Sequence, residues 1–146
     1  MINAIRNYLL TYDYFEKNDS FINVNFLDVD IGSFSLVPVP TQPLIKKYID
    51  GSSIKQFEFA LTSKNAFSED YAKNIENCGF YLDFENWIDK NNDLGIYPEL
   101  PEGMEARKIE TTTNGILINN ETSECIYEIT LKLKYFQKIG GIKNGN

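Results

Sequence analysis

A strictly alternating segment near the C-terminus is the strongest constraint on the fold of this chain. Its apolar members stand at every second position: Tyr127, Ile129, Leu131, Leu133 and Tyr135. A period of two places all of these side chains on one face of a β-strand. The polar residues between them, including Lys132 and Lys134, then face water. This pattern predicts a long antiparallel strand with one buried face and one solvated face.

Strand patterns and helical patterns also occupy the rest of the chain. Apolar residues at helical spacing predict an N-terminal helix over 2–12 and a central helical block that ends at Asn91-Asn92-Asp93. Hairpin turns are indicated by Asp50-Gly51 and Asn114-Gly115. Strands are predicted at 22–26, 33–37, 44–49, 54–62, 106–112 and 116–118. Because no strand–helix alternation indicates a parallel sheet, the predicted class is α+β: an antiparallel sheet with hairpins, with the N-terminal helix and the central helical block on one face.

Three local features refine this prediction. Residues 14–20 are predicted to form a turn, and Gly79 is predicted to kink or break the central helical block. Prolines 38, 40 and 43 predict a sheet edge, an exposed arm or a loop, since proline cannot donate to a strand ladder. Two aromatic clusters are predicted to lie in the core or in a protein–protein interface: Tyr12, Tyr14 and Phe15, and Phe80, Tyr81 and Phe84.

The length of 146 residues suits one domain, predicted over 1–138, with a flexible glycine-rich tail at 139–146. Histidine is absent, which excludes Ser-His-Asp triads, Cys-His dyads and histidine metal sites. Cys78 is predicted to be a buried apolar residue, and neither it nor Cys125 has a partner for nucleophilic chemistry. We therefore predict no catalytic, cofactor-binding or metal-binding residue. No apolar run approaches the roughly 20 residues of a membrane helix, and the N-terminal residues do not resemble a signal peptide.

Charge is unevenly distributed along the chain. The net charge of −7 disfavours binding to a nucleic-acid backbone. Ten acidic residues stand against two lysines between residues 66 and 105, which predicts a solvated acidic helix face. Lys132 and Lys134 allow two interpretations: protection of an exposed sheet edge, or a basic patch complementary to the acidic helices of a neighbouring copy.

Several short segments resemble one family in order and spacing. They are Pro38-Val39-Pro40-Thr41-Gln42-Pro43, Lys47-Tyr48-Ile49-Asp50-Gly51, Lys55-Gln56-Phe57, Asn77-Cys78-Gly79-Phe80-Tyr81, Trp87, Leu100-Pro101-Glu102-Gly103 and Tyr135-Phe136. Over about residues 1–138, the chain resembles the tail-terminator-like (minor capsid or head–tail joining) proteins of phages and prophages of Gram-positive bacteria.

The resemblance implies a structural virion protein rather than an enzyme, with no cofactor. Such a subunit forms a ring, expected to be a hexamer, that caps the tail tube and joins it to the head connector. DNA passes through the ring without specific binding, and the subunit is assembled in the host cytoplasm into the tail or neck of the virion. A head-completion or connector-adaptor protein is the alternative, and a small enzyme or a monomeric binding module are further ones.

Two groups of residues are predicted to act in such a ring. Tyr48 and Ile49, near the tip of the predicted hairpin, are expected to contact a neighbouring subunit, as are Lys132 and Lys134. The acidic residues Glu99, Glu102 and Glu105 are expected to face the bore, where like charge would repel DNA.

Overall fold

Three helices and seven strands lie in the residues that the computed structural model describes, which are 1–17, 22–25, 33–66, 71–113, 116–120 and 124–139. In chain order they are α1 (Ile2–Leu9), α2 (Asp13–Lys17), β1 (Ile22–Val24), β2 (Phe34–Val39), β3 (Leu44–Lys47), β4 (Ser53–Ala66), α3 (Tyr71–Leu94), β5 (Met104–Thr111), β6 (Ile116–Asn120) and β7 (Glu124–Gln137). The strands form one sheet, and buried residues of the helices pack on one of its faces. The predicted α+β class with an antiparallel sheet is confirmed.

The sheet is built around β4 and β7, which pair antiparallel along all 14 residues of each strand. On the other side of β4, β2 pairs with 58–63 and β3 pairs with 53–55. On the other side of β7, β5 pairs with 131–137 and β6 pairs with 125–128. β1 lies beyond β2 and runs parallel to it, so the sheet is mixed at this edge.

The first proline of the proline-rich stretch lies on an open edge of the sheet. Lys64 N of β4 donates to Ser33 O at 3.0 Å. Because successive residues of a strand direct their peptide groups to alternate sides, the odd-numbered residues of β2 direct theirs toward β4. Asn25 N donates to Leu36 O, on the opposite side. Pro38 has the same parity as Leu36, so its missing N–H falls on the outer side and no bond to β4 is lost. The edge position predicted from the prolines is confirmed for Pro38.

The buried face of β7 contains the alternating residues that the sequence pattern indicates. All five are buried, and the polar residues between them are partly exposed. Ile5 and Leu9 of α1, together with Phe84 and Ile88 of α3, are fully buried in the same core. Each such side chain contributes about 1.5–3 kcal/mol by leaving water, so this packing holds the helices on the sheet.

The two aromatic clusters meet in this core. The Tyr12 and Trp87 ring centroids are 5.0 Å apart, and those of Tyr14 and Phe80 are 4.6 Å apart. Phe15 is buried edge-on against Phe34 at 4.9 Å. Burial of these rings explains why residues 13–17 form a short helix, whereas the sequence pattern predicts a turn from residue 14.

Helix α3 continues across Gly79, so the predicted break is wrong, while the alternative of a kink stays a prediction. A Cβ atom at Gly79 would meet nothing within 4 Å, and no close packing there requires glycine. The helix ends instead at a Schellman motif in which Gly95 adopts a φ of +71°. Gly95 N donates to Asn92 O at 3.2 Å, and Ile96 N donates to Asn91 O at 2.8 Å.

Two consecutive amide side chains tie the end of α3 to the rest of the fold. Asn91 is buried, and its Nδ2 donates to the hydroxyl of Tyr8 in α1 at 3.1 Å. Ile109 N in β5 donates to Asn92 Oδ1 at 3.0 Å, and Asn92 Nδ2 donates back to Ile109 O. Asn92 therefore satisfies the outward peptide groups of an outer strand as another strand would.

Some predicted features lie outside the described residues. Neither the Asn114-Gly115 turn nor the tail beyond Ile139 can be compared with the prediction. Cys78 lies in α3 and Cys125 in β7, but their side chains are not among those described.

We predict that Asn92→Ala lowers the free energy of unfolding by about 1–3 kcal/mol, since it leaves two peptide groups of β5 without partners. Urea denaturation measures the change. Lys90→Ala, on an exposed position of the same helix, is the control and is expected to change stability by less than about 0.5 kcal/mol. Equal stabilities of the two variants would contradict this role of Asn92.

Candidate interaction surface

The turn between β3 and β4 is held by backbone hydrogen bonds. Tyr48 N donates to Ser52 O at 2.8 Å, and Gly51 N donates to Tyr48 O at 3.0 Å. Gly51 has a φ of +92°, which a glycine adopts without the steric cost of a side chain. The hairpin predicted from Asp50-Gly51 is confirmed.

A carboxylate fastens this turn from within. Asp50 Oδ1 accepts hydrogen bonds from Ser52 N at 2.9 Å and from Ser52 Oγ at 2.5 Å. Both bonds favour the charged form and lower the pKa of Asp50 below its usual value of 3.8. The bond from the Ser52 side chain has the larger effect. The Asp50 carboxylate therefore has its hydrogen-bond partners within the turn, while the neighbouring Lys46 and Lys47 are exposed.

The hairpin presents apolar side chains to solvent. We call Leu44, Ile45, Tyr48 and Ile49 the hairpin patch; all four are exposed, and Ile49 is completely so. Lys46 Nζ lies 5.1 Å from the centroid of the Tyr48 ring, a cation–π distance. Tyr48 and Ile49 thus stand at the tip, where a neighbouring molecule could reach them.

The last described residues pack against the same turn. A Cβ atom built on Gly51 would lie 2.3 Å from Ile139 Cδ1, so the Ile139 side chain occupies the space beside the glycine. Lys138 N donates to Gly103 O at 2.8 Å. Residue 139, which the sequence pattern assigns to a flexible tail, therefore contacts the folded domain.

Lys132 and Lys134 lie on the solvated face of β7, in the middle of the sheet. Edge protection is therefore the wrong interpretation, because β7 has paired strands on both sides. Lys134 Nζ lies 3.2 Å from the Glu110 carboxylate, and Lys132 is opposite Glu58 on one side and Glu110 on the other. The acids of the adjacent strands give this face mixed charge rather than a purely basic patch.

Glu110 connects two lysines on this face. Its other carboxylate oxygen lies 3.4 Å from Lys108 Nζ. Burial by itself would raise the pKa of Glu110, but hydrogen bonds and charge from Lys134 and Lys108 outweigh it and lower the pKa.

The three acids predicted to face a bore stand in different surroundings. Glu99 lies in the loop after α3, and Glu102 lies in the turn where Met104 N donates to Pro101 O at 3.1 Å. Glu105 is on β5, and its carboxylate is 3.9 Å from the Arg107 guanidinium. All three are exposed. Their common orientation toward a bore stays a prediction.

The described part of the acidic helix face is largely solvated, as predicted. Asp83, Asp89 and Asp93 of α3 are exposed. Glu85 is less exposed, and burial, followed by the charge of Asp89, raises its pKa.

A concave surface lies between α1 and the loop after α3. This α1 groove has a volume of about 330 Å³ and includes Ala4, Tyr8, Ile96, Tyr97, Pro98 and Glu99. Ile96 is exposed, as is Leu94 beside it. The sequence analysis missed this surface; its only signal is a pair of apolar residues flanking Gly95 at a helix end.

We predict that Ser52→Ala raises the pKa of Asp50 toward 3.8, because it removes the hydroxyl donor. An acid whose pKa is lowered by folding stabilises the fold above its unfolded pKa, and this contribution disappears as the pH falls through the folded pKa. The Asp50-dependent part of hairpin stability is therefore expected to decline as the pH falls below about 4 and to be lost once the pH falls below the lowered pKa of Asp50. NMR titration of the Asp50 carboxyl measures the pKa; Ser53→Ala is the control and should leave it unchanged.

No three His, Cys, Asp or Glu side chains in the described ranges lie close enough to hold a metal ion. None of the helices formed by those residues has the length and apolar composition needed to cross a membrane. No protein-family model matches the chain, and no curated protein matches it.

Proposed function

We propose that this protein is a structural subunit that assembles with copies of itself into a ring on a phage tail. The ring would act as a tail terminator, capping the tail tube and joining it to the head connector. The observation that carries this proposal is the hairpin patch, with Ile49 fully exposed at its tip. The choice of a tail terminator rests on the resemblance of residues 1–138 to tail-terminator-like proteins.

The chemistry of the hairpin patch favours contact with protein. Four large apolar side chains lie within six consecutive residues, next to exposed Lys46 and Lys47. An apolar centre with a polar rim is typical of interaction sites, and large exposed patches of this kind are uncommon on isolated monomers.

The support beneath the patch favours a defined contact. The β4 arm of the hairpin is the start of a strand paired with β7 along its entire length. The side chains at the tip are therefore attached to a central strand of the sheet. Residues on a rigid element are held in a more precise position than residues on a free loop. The second arm, β3, has only β4 as partner among the described strands, which leaves backbone groups available on its outer edge.

The charge of the chain suits a protein that DNA passes without binding. Its net charge is −7, and acids alternate with lysines on the solvated face of the sheet. A phosphate backbone needs an excess of Lys and Arg for non-specific attachment. The chain therefore favours contacts with protein over contacts with the genome.

We predict that Tyr48→Ser combined with Ile49→Ser abolishes rings, because it removes the two apolar side chains at the tip. Electron microscopy and sedimentation velocity measure assembly, and circular dichroism checks the fold. Leu82→Ser is the matched control, since Leu82 is equally an exposed apolar residue but lies on α3. Rings that persist in the double variant would reject the hairpin as the contact.

Deletion of the gene in its phage separates the terminator from a head-side adaptor. Loss of a terminator is expected to give overlong or unjoined tails in electron micrographs of lysates. Tails of normal length beside heads that leak DNA would contradict the terminator role and indicate an adaptor. Normal infectious particles would contradict both roles.

A further inference from the structure

We infer that the hairpin patch of one copy docks into the α1 groove of the next copy. This inference rests on the proposed self-assembly, and it specifies which two surfaces meet.

Both surfaces expose apolar side chains. The hairpin exposes Tyr48 and Ile49 at its tip, and Ile49 is completely exposed. The α1 groove is concave, its volume is about 330 Å³, and it is bordered by the exposed side chain of Ile96. Docking would remove apolar side chains on both partners from water, which favours association.

The two surfaces are also opposite in charge. The hairpin carries exposed Lys46 and Lys47, while its acid, Asp50, accepts hydrogen bonds within the turn. Among the described residues, the groove lining contains Glu99 and no Lys or Arg, and the exposed Asp93 lies at the end of α3, shortly before the groove residues 96–99. Opposite charges around an apolar centre set the orientation of a contact and disfavour other pairings. A groove meeting a groove, or a hairpin meeting a hairpin, would bring like charges together.

The hairpin patch and the α1 groove are attached to different parts of the sheet. β3 flanks β4 on one side of the sheet, and β5 flanks β7 on the other. The groove follows α3, whose end is fixed to β5 through Asn92 and Ile109. Three strand spacings of about 4.8 Å separate β3 from β5. A contact between two different surfaces is head-to-tail, and it generates a closed ring or an open filament.

Under this inference, the three acids that were predicted to face the bore have different positions. Glu99 lines the α1 groove and would meet the neighbouring hairpin. Glu102 and Glu105 lie on the turn before β5 and on β5 itself, outside the groove lining.

Photo-crosslinking locates the contact directly. Tyr48 is replaced by benzoylphenylalanine in the full chain, and the protein is mixed with an isotope-labelled copy before irradiation. Crosslinks between the two copies are expected to map by mass spectrometry to residues 4–11 or 94–99. Inter-copy crosslinks to β3 or to the solvated face of β7 would overturn the groove while leaving self-assembly intact. Absence of inter-copy crosslinks would overturn the inference, and the gene deletion would still decide the proposed function.

A charge exchange tests the same contact by an independent measurement. Lys47→Glu and Glu99→Lys are each expected to raise the concentration needed for half-assembly about tenfold, because each places like charges across the contact. The two changes combined are expected to restore assembly. Lys17→Glu and Asp83→Lys, at exposed positions outside both surfaces, are the controls and should change assembly little. Failure of the combined variant to recover, with crosslinks elsewhere, would reject the pairing.

Discussion

The pairing of β4 with β7 is the interaction on which the rest of the structure depends. Each strand contributes 14 residues to it, and each has further strands on its other side. Phe59 lies opposite Leu131 and Leu61 opposite Ile129, all fully buried. A slip of one residue would turn these side chains to solvent, so the core itself specifies the register. That register also determines how far the β3–β4 hairpin extends beyond the sheet.

The helical layer is attached to this sheet by packing and by specific polar contacts. Aromatic and aliphatic side chains provide most of the buried area, but nonpolar packing alone specifies the position of the helices on the sheet weakly. Asn91 and Asn92 add directional hydrogen bonds. Asn91 bonds to Tyr8 of α1, and Asn92 bonds to the N–H and the C=O of Ile109 in β5. A buried amide that loses its partners costs about 1–3 kcal/mol. These contacts therefore hold α1, α3 and β5 in one arrangement and shape the α1 groove.

Two unlike surfaces result from this arrangement. The hairpin patch is apolar, exposed and flanked by lysines, whereas the α1 groove is concave and contains Glu99 in its lining. The hairpin continues into the central strand β4, and the groove follows α3, whose end is bonded to β5. A subunit with these properties is suited to directional assembly. The mixed charge of the remaining sheet face, where Glu110 contacts Lys134 and Lys108, makes that face a weaker candidate for contact between copies.

The sequence by itself determined which residues face the core, because the two-residue period of β7 and the helical spacing of α1 are local properties of the chain. It also located the β3–β4 turn, since glycine at position 51 allows a positive φ. Only the tertiary structure decided that β7 is a central strand, which overturned edge protection by Lys132. It likewise decided that Asn91 and Asn92 act as anchors between elements rather than only as the end of a helix. Strand order and the partners of an amide depend on residues far apart in the chain, and no local period encodes them.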